Sequence, residues 1–147
     1  MTNKQYVFGS IFLLANKFQM IGDKELVELS FKQWFLLVLI NNLKKEPSLT
    51  DIANSMGTSR QNIKKMLVIL ENKGYVILNT LPEDKKSIRT SLTEKSRKYF
   101  ESFDKAANEL LEKIFSNVSN DKIQSVSEVF TIMIENTDEI LNGRADK

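Results

Sequence analysis

The chain has 147 residues, 41% apolar and 27% charged, which is the composition of an ordinary globular protein of one-domain length. It contains no cysteine and no histidine. That excludes disulfides, zinc-finger sites, thiol redox sensing, Cys and His nucleophiles and the usual general base. The net charge is only +2, but residues 44–97 hold eleven Lys or Arg against six Asp or Glu, whereas residues 98–147 hold six against ten. Basic charge gathers in the middle of the chain, as a surface for phosphate requires.

The longest apolar run, residues 34–40, falls far short of the ~20 residues that cross a bilayer. No signal peptide is readable, so the expected location is the cytoplasm, without a membrane partner.

Residues 5–21 read as a helix, because Val7, Ile11, Leu14, Phe18 and Ile21 recur at steps of four and three. Phe8, Phe12 and Ala15 widen that stripe, and a helix so apolar is buried on more than one side, which points to a subunit contact. Gly22 and Asp23 are expected to break it. Ser30 caps a second helix reaching about residue 43, whose centre is apolar all round and belongs in the core. Ser48 and Asp51 have capping-box spacing for a short helix over 49–56, and Gly57 supplies a left-handed end. Thr58 or Ser59 then caps a helix that ends at Gly74. Ile63, Leu67 and Leu70 line its inner face with Met66 beside them. Arg60, Gln61, Asn62, Lys64 and Lys65 lie elsewhere on its first two turns.

After Gly74 the period changes to two. Residues 75–79 read as a strand, 81–87 as a charged turn and 88–92 as a second strand, forming a hairpin with a basic tip. Thr93 caps a long helix to about residue 116, with Phe100, Phe103, Ala107, Leu110 and Ile114 on its apolar face. Ser119 or Asn120 caps a last helix to about residue 142, where Ile123, Val126, Phe130, Met133, Thr137 and Ile140 keep a helical rhythm.

This order predicts an α+β fold, mostly α: a winged helix-turn-helix flanked by N- and C-terminal dimerisation helices, in one domain over residues 1–147. The DNA-binding lobe covers about 30–92, and the dimerisation helices about 5–21 and 93–142. A helix fits the major groove, and its N-terminal end offers free N–H groups to phosphate. The candidate DNA contacts are therefore Ser59, Arg60, Gln61, Asn62, Lys64 and Lys65 on the helix, with Lys85, Lys86 and Arg89 on the hairpin. No catalytic constellation, cofactor motif or metal cluster is readable, so an enzyme is not expected.

The segments Leu29-Ser30-Phe31-Lys32-Gln33-Trp34, Leu49-Thr50-Asp51-Ile52-Ala53, Ser59-Arg60, Leu70-Glu71-Asn72-Lys73-Gly74-Tyr75-Val76, Pro82-Glu83-Asp84-Lys85-Lys86 and Ser91-Leu92-Thr93-Glu94-Lys95 together resemble the MarR family of bacterial regulators. The resemblance implies a triangular homodimer on a pseudo-palindromic DNA operator. Its recognition helix would begin near Ser59, and its wing would cover residues 79–90. It also implies a repressor released by a small aromatic or anionic effector. Asp84 would support the wing through an ion pair, with Arg60 its natural partner. Phe12, Phe31 and Trp34 are the candidate effector pocket, though aromatics at helical spacing also suit a core. Lys86 stands where the family's minor-groove arginine would, and Ser96 replaces a glycine usual in the long helix's first turn. The alternative reading is a winged-helix adaptor that contacts protein rather than an operator.

Overall fold

The computed structural model describes residues 1–43 and 45–143, and for residues 81 and 84–86 the backbone alone. The elements in chain order are α1 (Asn3–Glu25), α2 (Phe31–Asn42), α3 (Leu49–Met56), α4 (Arg60–Asn72), β1 (Val76–Leu81), β2 (Asp84–Leu92), α5 (Glu94–Ile114) and α6 (Asn120–Asn142). Two units hold together internally, residues 1–102 and 103–147.

Short polar side chains set the helix starts. Reciprocal capping boxes open α1 (Thr2 with Gln5), α2 (Ser30 with Gln33) and α3 (Ser48 with Asp51). Ser59 alone caps α4 through the Asn62 N–H. Each such cap is worth about 1 kcal/mol, because it satisfies an N–H that the helix itself leaves free.

In the first unit the core forms where three helices and the hairpin converge. Leu36, Leu37 and Ile40 of α2, Ile52 and Ala53 of α3, and Ile63, Leu67 and Leu70 of α4 are buried together with Tyr75 and Val76. The segment before α3 is stitched to the hairpin: Ser48 bridges Arg89, and the Thr90 N–H donates to the Pro47 carbonyl at 3.1 Å. In the second unit, Phe103, Ala107, Leu110 and Ile114 of α5 are half-buried, while α6 has no buried residue.

Two sequence expectations need correction. α1 does not break at Gly22 but continues to Glu25. The glycine is there for close approach: a Cβ at this position would overlap the Phe31 ring and lie 2.9 Å from the Phe31 Cβ. Asp23 likewise serves the packing rather than a break, since its Oδ1 accepts the Phe31 N–H at 2.6 Å. Secondly, β2 begins at Asp84, so the tip is Pro82-Glu83 and Lys85 and Lys86 lie on the strand. Regular pairing runs from Val76↔Leu92 to Thr80↔Ile88, and the next pair is Leu81↔Asp84. Residues 85–87 therefore have no counterpart on β1, and this bulge absorbs the charged stretch that reads locally as a turn.

A glycine-to-alanine change inside a helix ordinarily stabilises by about 0.5–1 kcal/mol. At Gly22 the overlap with Phe31 should outweigh that gain, since overpacking costs ~1–3 kcal/mol. Gly22→Ala is expected to lower the thermal midpoint. A midpoint at or above that of the parent chain would show that the ring moves aside freely.

Candidate nucleic-acid interface

The turn between α3 and α4 depends on one left-handed residue. Gly57 has φ 67° and ψ 37°, and the Thr58 N–H donates to the Ala53 carbonyl at 3.1 Å, which closes α3 and redirects the chain. Ser59 Oγ then accepts the Asn62 N–H at 3.1 Å. Asn62 Nδ2 in turn donates to Thr58 Oγ1 at 3.1 Å, which ties the side chain to the turn.

The inward stripe of α4 decides what faces out. Ile63, Leu67 and Leu70 are fully buried, and Ser59, Arg60, Gln61, Asn62, Lys64 and Lys65 are all exposed. One solvent-facing helix start thus brings together two amides, three cations and a hydroxyl, beside the free N–H groups of a first turn. This surface suits a polyanion whose base edges carry hydrogen-bonding groups.

Arg89 stands apart from that set. Its Nη1 lies 4.0 Å from Asp51 Oδ2, and the same carboxylate accepts the Ser48 N–H at 2.9 Å and the Ser48 hydroxyl at 2.8 Å. Asp51 therefore joins the start of α3 to the base of the hairpin, with Arg89 half-exposed. Lys85, Lys86 and Asp84 have backbone positions on β2, but their side chains lie outside the described residues, and so does the expected Asp84–Arg60 pair.

A family model described as "MarR family" matches residues 29–88. A Bacillus subtilis (strain 168) protein described as the uncharacterized HTH-type transcriptional regulator YfiV is 30% identical over 107 residues, which cover 73% of this chain and 66% of that protein. The chain belongs to the MarR family. Two solved structures show the same fold. Sco3205, a MarR family transcriptional regulator from Streptomyces coelicolor in complex with DNA, has a TM-score of 0.79 at 19% identity, over 92% of this chain and 89% of that one. The organohalide-sensing transcriptional regulator RdhR-CbdbA1625, in its 2,4-dichlorophenol-bound form, has a TM-score of 0.81 at 15% identity, over 95% and 84%. MarR-family proteins are transcription regulators rather than enzymes, and the winged helix-turn-helix expected from the element order is the fold observed.

In this MarR-family chain the three aromatic candidates are distributed over two pairs. Phe31 stacks on Trp34 with ring centroids 5.5 Å apart, whereas Phe12 meets Phe8 edge-on at 5.2 Å on α1. A different cleft of about 180 Å³ opens beside the C-terminal end of α2. Ile40, Leu43, Pro47 and Leu92 give it apolar walls, and Lys45, Arg97 and the acidic Glu46 lie on its lining. Thr90, also on that lining, is fully buried, and its Oγ1 has no hydrogen-bond partner among the described residues.

The sequence reading missed a polar hub behind α4. The fully buried Tyr75 donates its hydroxyl to Glu28 Oε2 at 2.5 Å. Lys95 Nζ lies 3.2 Å from the same oxygen and 4.4 Å from the centre of the Tyr75 ring. The available signal was general: a buried tyrosine needs a partner for its hydroxyl. No local pattern names Glu28 as that partner. The hydrogen bond from Tyr75, then Lys95, holds the Glu28 carboxyl below its usual range. Burial, then the bond to Glu28, pushes the Tyr75 hydroxyl well above its ordinary value, and burial raises Tyr99.

Those shifts fix the sign of the pH dependence. The tyrosines contribute stability that is fully present below about pH 10, the unfolded value, and is lost as pH rises toward the folded values. Glu28 contributes stability present above about pH 4.3 and lost as pH falls further. The thermal midpoint should therefore decline above about pH 10, and Tyr75→Phe should make that alkaline decline shallower. Melting curves from pH 8 to pH 11 check this; identical slopes for the two proteins would exclude Tyr75 as a source.

Proposed function

We propose that this transcription regulator is a homodimeric repressor that reads a pseudo-palindromic operator and is released by a small-molecule effector. One observation carries the DNA-binding reading: the exposed start of α4, with Arg60, Gln61, Asn62, Lys64 and Lys65 opposite a fully buried apolar stripe. As a recognition helix it would place amides against adenine edges and cations against guanine or phosphate. Lys85 and Lys86 on the hairpin would meet phosphate or a narrow minor groove. The exposed basic set also favours an operator over a protein surface as the target.

Dimerisation is supported by exposed apolar side chains on the terminal helices. Tyr6, Phe8 and Phe12 of α1 are each at least 60% exposed, and on α6 Ile132, Ile134 and Ile140 are at least 55% exposed. Apolar surface on this scale calls for a second copy. Two-fold symmetry would then set the recognition helices ~34 Å apart, about 10 bp along the duplex.

Effector release is supported by the cleft at the end of α2, where a buried hydroxyl, apolar walls and both signs of charge (Lys45, Arg97 and Glu46) suit a small organic molecule with polar groups. The organohalide sensor of the same fold is described with a small aromatic molecule, 2,4-dichlorophenol, bound. Phe31 and Trp34 remain the aromatic alternative for this role.

The two basic elements should respond differently to mutation. Losing a phosphate contact removes a counterion-release event, which flattens the log–log salt slope by ~0.9 per contact. Losing a base contact costs ~1–3 kcal/mol per half-site on the operator and little on random DNA. Lys86→Ala is expected to weaken both duplexes and flatten the slope. Gln61→Ala and Asn62→Ala should erode specificity at an unchanged slope. Affinity against salt on operator and scrambled duplexes measures this; if all three variants bind as the parent does, the adaptor reading replaces it. Sedimentation at micromolar concentration should give a dimer, and a folded monomer would overturn the two-fold reading.

A further inference from the structure

Glu28 lies in neither the helix-turn-helix nor the hairpin, yet the end of α4 and the start of α5 converge on it. Its backbone carbonyl accepts Lys73 Nζ at 2.8 Å, and Lys73 Nζ also donates to Gln33 Oε1 at 3.1 Å on α2. Its carboxylate takes the Tyr75 hydroxyl and pairs with Lys95 of α5. Lys73 and Tyr75 are the residues at which α4 ends and the chain turns toward β1. Glu28 itself sits on the segment that connects α1 to α2.

Other bonds hold the end of α4 without Glu28. The Thr93 hydroxyl donates to the Gly74 carbonyl at 2.7 Å, the Ser96 hydroxyl to the Tyr75 carbonyl at 2.5 Å, and Lys95 Nζ to the Lys73 carbonyl at 3.1 Å. These tie α4 to α5. The Glu28 contacts add the α1 side. We infer that Glu28 is a positioning residue that sets the angle of α4 relative to α1, and with it the half-site spacing a dimer accepts. The second half rests on the dimeric operator reading above.

Geometry makes that angle consequential. α4 has 13 residues, about 20 Å of helix, so a tilt of about 10° at its C-terminal end displaces its first turn by ~3.5 Å. That is the rise of about one base pair. Because the Glu28 side chain is more than half exposed, replacing it opens no cavity in the core.

The chain has no cysteine, so Lys17→Cys with Val68→Cys places one spin label on α1 and one on α4 of the same protomer. Doubly labelled chains diluted with unlabelled protein are read by pulsed electron resonance, before and after Glu28→Ala. In parallel, affinity is measured on duplexes whose half-sites are moved by one base pair in either direction. Glu28→Ala is expected to broaden the α1–α4 distance distribution and to reduce the preference for the parent spacing severalfold. Glu28→Gln, which keeps an acceptor for Tyr75, should show a smaller change in the same direction. Tyr75→Phe repeats the test by removing only a hydroxyl, should Glu28→Ala fail to fold. An unchanged distribution in folded Glu28→Ala and Tyr75→Phe overturns the positioning role. A broadened distribution with unaltered spacing preference overturns only the link to the operator. A parent chain that binds no palindromic duplex refutes the operator reading instead, and the label distances still decide the role of Glu28.

Discussion

The outward chemistry of α4 follows from three side chains that point the other way. Ile63, Leu67 and Leu70 are fully buried in the core that α4 shares with α2, α3 and the start of β1, and full burial of such a side chain stabilises by about 1.5–3 kcal/mol. No contact available to an exposed lysine or glutamine competes with that. The rotation of α4 about its axis is therefore a property of the core, and Arg60, Gln61, Lys64 and Lys65 take the solvent face as its complement. Gly57 fixes where the helix starts, the apolar stripe fixes which way it faces, and the rest of the candidate interface depends on both.

Acidic residues of the first unit act as connectors between elements. Asp23 receives the first N–H of α2, Asp51 links the α3 cap to Arg89, Glu71 accepts the Leu78 N–H at 3.0 Å, and Glu28 collects Tyr75 and Lys95. Each bridges segments that the chain order separates. A carboxylate suits this task because it accepts several donors at once, and charge-assisted bonds are stronger than neutral ones. The modest net charge of the chain thus conceals local joints, in which carboxylates at the surface and bases such as Lys73, Lys95 and Arg89 tie neighbouring segments together.

Much of this was legible where the determinant is local. The Ser30 cap, the Ser48–Asp51 spacing, the stripe of α4 and Gly57 all read directly from the sequence, because caps and helix faces are set by residues three and four apart. Gly22 was misread because a glycine in a helical pattern marks either a break or a close approach, and only the position of Phe31 decides which. The hairpin tip was misread because Lys85-Lys86-Ser87 is polar enough to look like a turn while its backbone stays extended. The Glu28–Tyr75 bond spans 47 positions, and no periodicity can announce a partner at that distance. The dividing line is sequence separation, not chemical difficulty.

The bulge in the hairpin has a consequence of another kind. Its three unpaired residues, 85–87, all belong to β2, beyond the last regular pair Thr80↔Ile88. Adding or removing residues there would leave every pairing below it in register, together with the Ser48–Arg89 bridge that anchors the hairpin to α3. The reach of the arm is thereby uncoupled from the folding of its base. A lineage carrying this scaffold can lengthen, shorten or recharge its outermost loop without renegotiating the core, and so retune one contact with its target while inheriting all the others.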